Sequence, residues 1–381
     1  MTRQRAILVG LVGLSFVFTL LVGWARWELG EIPGDYGPFE LAATRFRAGE
    51  PIYQYGDDPF LSPPPFVFFL LPAHALGPVG GHAAALLLGV LCSASALALL
   101  RRTLVPPPSI DAVLAAALYV PIWLSASIGQ WGGFFFLVTA VVLALAHAKR
   151  GFEAGLVAAL LFAKPTYAPF AVAIVALGLG RRAWAGLALG ALVWLAASLP
   201  LGLESWVRWR AQLRWIDEVH ALAGHGWQHH TLFGSLRALA ALFGQSEGAA
   251  RVLWLAIAAP MGLAAIGLGA RALRRGEASR AFSIAALATI ALNVYLRYYD
   301  SQIVLIAVLR LFARPDRSRV AGVLALAYLL LASADAAYFQ EQIAVPVEGL
   351  LVTAWLAIEL REAFLVERST GAPVRSTPTA A

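Results

Sequence analysis

From Ala6 to Ala25 the chain runs twenty residues without a charged side chain, and Arg3, Arg5 and Arg26 bracket the run. An α-helix of that length spans about 30 Å, the thickness of a bilayer's hydrocarbon core. The run resembles the apolar region of a signal peptide, but it is longer and no small-residue cleavage site follows it. It reads as a retained first membrane helix with a cytoplasmic N-terminus. The rest of the chain is built the same way: 60% of its residues are hydrophobic and 13% are charged, against roughly half and a quarter in soluble domains. Soluble chains above about 250–300 residues divide into several domains. This one has 381 residues and no polar linker, which points to one membrane domain over residues 1–368. The tail 369–381 (STGAPVRSTPTAA) has the composition of a disordered, cytoplasmic segment. The single Cys92 excludes a disulfide framework and a four-cysteine zinc site.

Basic residues punctuate the apolar runs. They cluster at Arg101–Arg102, Lys149–Arg150, Arg181–Arg182, Arg271 to Arg280, Arg310 to Arg319 and Arg361 to Arg375. With all of these in the cytoplasm, the intervening segments pair as hairpins: about 83–100, 111–128, 131–148, 152–163, 166–180, 183–202, 249–270, 279–296, 302–314, 319–334 and 347–364. With the first helix this gives an all-α polytopic protein of about twelve transmembrane helices, both termini inside. Nineteen of the 29 Lys and Arg residues then lie on the inner side and nine on the outer, with Lys164 inside the apolar region. That asymmetry follows the positive-inside rule. The net charge of +7 is therefore a topology signal, and nucleic acid is not an expected partner. The Pro-broken stretch 60–78 reads as juxtamembrane or re-entrant, since a crossing there would move Arg101 outside.

Two connections are long and fall on the outer side, about 26–61 and 203–248. Long connections in a compact domain are usually functional or disordered. The first carries Trp27, Tyr36, Phe39, Tyr53, Tyr55 and Phe60; the second carries Trp206, Trp209, Trp215 and Trp227 with His220, His225, His229 and His230. Chemistry is expected on this outer face of the cell membrane.

Several residues there have side chains suited to it. Asp35, in GEIPGDYGPF, would place a carboxylate at the membrane boundary, where it could deprotonate an acceptor hydroxyl; it could equally be a solvated loop acid beside Asp57 and Asp58. Lys164 lies between LVAALLFA and PTYAPFAVAIVAL, and the chain has only one other lysine. A lysine in an apolar segment needs an anion, a wet cavity or a carboxylate partner, or it snorkels to the boundary. Gln130 sits in SIGQWGGFF, where Gly129, Gly132 and Gly133 permit close backbone approach; it could bind a sugar hydroxyl or pack helices. LRYYDSQ supplies Arg297, Tyr299 and Asp300, either as a structural ion pair or as phosphate and hydroxyl ligands. His229 and His230 stand beside Trp227 and Gln228, whereas His74 and His147 have no such neighbours and read as structural. The histidine spacing does not match HExxH, and no protein-only metal site is expected. No GxxxxGK[ST], GxGxxG or GxSxG motif occurs, and the inner loops are too short for a nucleotide-sugar domain. A glycosyl donor would have to be lipid-borne.

At these residues the sequence resembles glycosyltransferase family 87, the DUF2029 group of the GT-C superfamily. The matching blocks are GDYGPFELAATRFRAGEPIY, SPPPFVFFLLPAHALG (Ser62 where Tyr is usual), GQWGGFFFLVTAVVLALAHAKRGFEAGLVAALLFAKPTYAPFAV and VYLRYYDSQIVLIAVL, in order over about residues 30–310. The resemblance implies a GT-C-type fold and an inverting transfer of a sugar, usually mannose, from a polyprenyl-phosphate donor to a lipid or glycan acceptor. It implies Asp35 as general base, with Lys164 and Arg297 as candidates to neutralise the leaving phosphate. Gln130, His229, His230, Tyr299 and Asp300 would bind substrate, with no cofactor beyond the lipid-linked sugar. A secondary transporter or lipid flippase is the competing reading. Such proteins commonly carry inverted repeats, and none is apparent here.

Overall fold

The computed structural model describes residues 2–29, 36–54, 60–222, 231–294, 296–314, 318–338 and 347–371. Every regular element among them is helical. In chain order the helices are α1 (Arg3–Glu28), α2 (Gly37–Ala48), α3 (Val67–His74), α4 (Gly77–Thr103), α5 (Ile110–Ala116), α6 (Val120–Ser127), α7 (Gly132–His147), α8 (Gly151–Ala158), α9 (Ala168–Leu179), α10 (Arg181–Ser198), α11 (Gly202–Leu222), α12 (Leu232–Leu242), α13 (Glu247–Arg274), α14 (Ala278–Leu292), α15 (Leu305–Ala313), α16 (Arg319–Tyr338) and α17 (Glu348–Gly371).

Length decides how many of these cross a bilayer unaided. Four continuous stretches are long and apolar enough: α1, α4, Arg181–Trp215 and α13; a fifth is α5 with α6 if that bent pair counts as one. The count of about twelve read from sequence is thus not matched by twelve full-length helices. The others are short because the chain breaks them. The 16 residues of α7 rise only about 24 Å. Boundaries move as well. α4 starts at Gly77, not near 83, because Pro78 occupies its first turn, where a missing N–H costs nothing. The expected outer loops are partly helical: α2 falls in the first, α11 and α12 in the second. α17 continues through Gly371, into the stretch expected to be a tail.

The basic clusters gather at one end of the bundle. There Arg5 Nε donates to Asp111 at 2.9 Å, Arg310 pairs with Glu359 at 2.8 Å, Arg314 with Glu362 at 3.1 Å, and Arg271 with Glu367. Arg274 also donates to the Leu177 carbonyl that closes α9. Small residues draw the helices together elsewhere. A Cβ on Gly155 would lie 2.1 Å from the Ala183 carbonyl oxygen, and one on Gly186 2.0 Å from that of Phe152. α8 and α10 therefore touch backbone to backbone, the usual way helices associate where lipid offers no hydrophobic drive.

At the opposite end an aromatic cluster seats the first connection. Phe39 of α2 meets Phe60 and Phe66 edge-on, and Phe66 also meets Trp131 and Phe135. The 60–78 stretch begins as a 3₁₀ turn (Pro64–Phe66) that leads into α3, with Pro72 inside it. These 11 residues are too short to cross. Tyr53 Oη donates to the Ser62 carbonyl at 2.7 Å and Trp209 Nε1 to that of Leu61 at 2.9 Å. The two long connections therefore meet here.

Candidate functional site

Helical structure is interrupted at three places, and the interruptions face one another. The first lies between α5 and α6, which bend by 48° at Ala117–Tyr119, just before Pro121. The second is the 3₁₀ turn Ala159–Ala163 followed by Lys164-Pro165, ahead of α9. The third is the non-helical run from Asn293 into the 3₁₀ segment Tyr298–Val304, ahead of α15. A broken helix releases carbonyls that cannot stay unpaired in an apolar interior. Here side chains satisfy them. Trp123 Nε1 donates to the Ala117 carbonyl at 2.8 Å, Trp194 Nε1 to Ala159 at 2.8 Å, Asn293 Nδ2 to Thr166 at 2.6 Å, and Tyr167 Oη to Asp300 at 2.6 Å. Tyr119 Oη shares a proton with Ser301 Oγ at 2.7 Å, and Ser93 Oγ donates to Gln302 Oε1 at 3.1 Å. The result is a polar layer between helices that are otherwise apolar.

Lys164 enters this layer. Its ammonium donates to Asp300 Oδ1 and lies 5.5 Å from the centre of the Tyr167 ring and 5.2 Å from that of Tyr299. Rings at that range attract a cation through their negative faces. The lysine's need for an anion, evident in its sequence setting, is met by a carboxylate 136 residues away. The two partners differ in access: the Asp300 side chain is 1% exposed and that of Lys164 21%. The carboxylate is sealed while the cation remains open on one side. Such an arrangement can meet an anionic group from the open side of the ammonium.

Of the residues singled out in the sequence, Lys164, Tyr299 and Asp300 are in direct contact. Arg297 opens the same 3₁₀ segment, its carbonyl accepting from the Asp300 N–H at 2.9 Å, and its side chain is half-buried. Asp300 forms its ion pair with Lys164, across the bundle. Gln130 is half-buried in the turn between α6 and α7, its N–H donating to the Ser125 carbonyl at 2.9 Å. Two residues on, a Cβ on Gly132 would stand 2.7 Å from the Tyr299 carbonyl oxygen, so that turn abuts the segment carrying Asp300. Asp35, His229 and His230 lie outside the described residues. Their chain neighbours are placed, however. Tyr36 is buried against the α6–α7 turn, and Thr231 caps α12 through its hydroxyl. Burial, and then the Glu40 carboxylate, hold the Tyr36 phenol above its ordinary pKa.

Sequence reasoning missed Tyr119, Tyr167, Ser301 and Gln302. Tyr167 had a signal: it follows Lys164 by three residues in KPTY. Ser301 and Gln302 had one too, as polar residues at the start of an apolar run. His74 donates from Nδ1 to Glu40 Oε1 at 2.7 Å and ties α3 to α2, in keeping with a structural part. Among the described residues no three His, Cys, Asp or Glu side chains gather as a metal set.

No curated protein and no solved structure matches the chain. The family model of glycosyltransferase family 87 does match, over residues 60–296, which include Gln130, Lys164 and the broken helices around them. With well over half its length so matched, this membrane chain belongs to glycosyltransferase family 87.

Proposed function

We propose that the chain moves a sugar, with mannose the first to try, from a polyprenyl-phosphate donor to a lipid or glycan acceptor, with inversion. In this reading the site lies on the outer face of the cell membrane. The helices pair into about twelve crossings, broken ones included, with both termini in the cytoplasm. The observation that carries it is Lys164: a cation open on one side, aimed by Asp300 and two tyrosine rings, in the apolar part of a glycosyltransferase.

The chemistry follows from charge. Asp35 takes the proton of the acceptor hydroxyl as its oxygen bonds to the anomeric carbon. The bond from that carbon to the phosphate oxygen breaks, and both electrons leave with the lipid phosphate. Lys164 and Arg297 neutralise the departing charge, which lowers the barrier only as that charge develops. Gln130, Tyr299, His229 and His230 hold sugar and acceptor hydroxyls. Asp300 keeps the ammonium aimed when no phosphate is present. The reaction needs no resident metal or cofactor.

The test is transfer by the purified protein in liposomes, with a panel of polyprenyl-phosphate sugars and product identification by mass. The wild type yields a glycosylated acceptor. Asp35→Asn, still folded, loses at least about 100-fold in rate, the lower range for a general base. Wild-type turnover by that variant excludes Asp35 as the base. Donor that crosses the bilayer with its sugar intact supports a flippase instead.

A further inference from the structure

Glycines set how α9 meets its neighbours. A Cβ on Gly262 would lie 3.4 Å from the Phe170 ring, one on Gly269 2.5 Å from Ile174 Cδ1, and one on Gly178 2.8 Å from Leu273 Cδ2. Phe170, Ile174 and Gly178 follow one another at intervals of four residues, so they form one face of α9 and seat it on α13. The glycines of α10 draw that helix elsewhere: Gly186 brings it onto α8, and Gly190 onto Ala159. Much of the other face of α9 is left uncovered, and Pro169 and Leu177 are exposed there.

The result is a groove of about 390 Å³, within the size range of sites that hold small molecules. Ala168, Val172 and Ala176, again four residues apart, line it together with Pro169, Ala173 and Leu177. Every lining residue is apolar. From Ala168 to Leu177 the groove follows α9 for about 14 Å. Its upper end is formed by Phe162 and Ala168, which flank the Lys164-Pro165 break in the chain. Its lower end is formed by Trp184, just past Arg181 and Arg182. The groove thus leads from the partly open cation toward the basic end of the bundle.

A lipid-borne donor joins these two features. Its phosphate and its one apolar chain are a single molecule, so a phosphate met by Lys164 delivers the chain to the groove's upper end. Surrounding lipid is as apolar as the groove, so what the groove adds is contact and orientation, not escape from water. We infer that the groove between α9 and α10 seats the first part of the donor's prenyl chain, with Ala173 providing the clearance. This inference rests on Lys164 meeting the donor's phosphate, and its tests separate the two claims.

Binding is measured on purified protein in nanodiscs, with a long polyprenyl phosphate and with dimethylallyl phosphate, whose one isoprene unit reaches only the upper end. Ala173→Phe fills the groove and weakens binding of the long compound at least about tenfold, the scale of forcing bulk into occupied space. It leaves the short compound within about threefold, and Ala173→Ser, which keeps the space, leaves both within about threefold. Lys164→Met with Asp300→Asn weakens both compounds. An unchanged affinity of Ala173→Phe for the long compound, or an equal loss for the two, overturns the inference.

A second measurement uses the wild type and so does not depend on how a variant folds. A polyprenyl phosphate with a photoreactive diazirine on an early isoprene unit labels Phe162, Val172 or Trp184, read by peptide mass. Excess unlabelled polyprenyl phosphate suppresses the labelling, and phosphatidylglycerol does not. Label found only outside the groove, or suppression by both lipids alike, overturns the inference. Unchanged binding of both compounds by Lys164→Met with Asp300→Asn defeats the phosphate reading of Lys164, and the labelled residues then still decide whether the groove holds the chain.

Discussion

The ion pairs Arg310–Glu359 and Lys164–Asp300 each hold a sealed carboxylate, and they are built differently. Arg310 and Glu359 lie at the basic end, on the regular helices α15 and α17, with side chains 4% and 2% exposed. Further pairs surround them, Arg314–Glu362 and Arg280–Glu277 among them. Lys164 and Asp300 lie among the broken helices, between two tyrosine rings, and the lysine stays partly open. An arginine fork holds a carboxylate from several donors, which suits a permanent joint. A lysine is a point charge on a flexible stem, which suits an anion that comes and goes. The difference suggests a division of labour: the first pair fastens helices, and the second keeps a cation ready.

Breaking each pair is the sharpest way to test that division. The largest effect is expected from Glu359→Ala, which leaves a guanidinium uncompensated in a sealed site. It loses about 3–5 kcal/mol of stability, measured by unfolding in detergent, while the molecules that remain folded keep their affinity for polyprenyl phosphate. A smaller effect of another kind comes from neutralising the second pair, Lys164→Met with Asp300→Asn. That variant stays folded and binds polyprenyl phosphate about 100-fold more weakly, or ~2.7 kcal/mol. The smallest comes from replacing the first pair by apolar residues, Arg310→Met with Glu359→Leu. Such exchanges are often neutral or mildly stabilising, so unfolding shifts by no more than about 1 kcal/mol and transfer continues. Loss of transfer in that variant would erase the contrast between the two pairs.

The same two regions measure how far sequence reasoning reaches. The basic end was legible because its signal is local: each Arg cluster marks the end of an apolar run, and the helices end near those clusters. The need of Lys164 for an anion was legible too, since a lysine between two apolar runs states it outright. Its partner was not. Asp300 had a nearer candidate in Arg297, and only the approach of the Lys164–Tyr167 turn to the 293–304 region brings Asp300 to Lys164. Helix breaks were half-legible: Pro165 and Pro121 marked two of them, while the break after Leu292 has no proline or glycine to signal it. The second long connection read as a loop, yet α11 runs from Gly202 to Leu222 within it. His82 gave only the weak signal of one polar residue among small ones, since its hydrogen-bond partners Trp27 and Ser127 come from other segments.

The most direct test of the account is the affinity of polyprenyl phosphate for the two neutralised variants, measured side by side on folded, purified protein. The account predicts a Kd about 100-fold weaker for Lys164→Met with Asp300→Asn, and one within about threefold of wild type for Arg310→Met with Glu359→Leu. Equal Kd values in the two variants would contradict it.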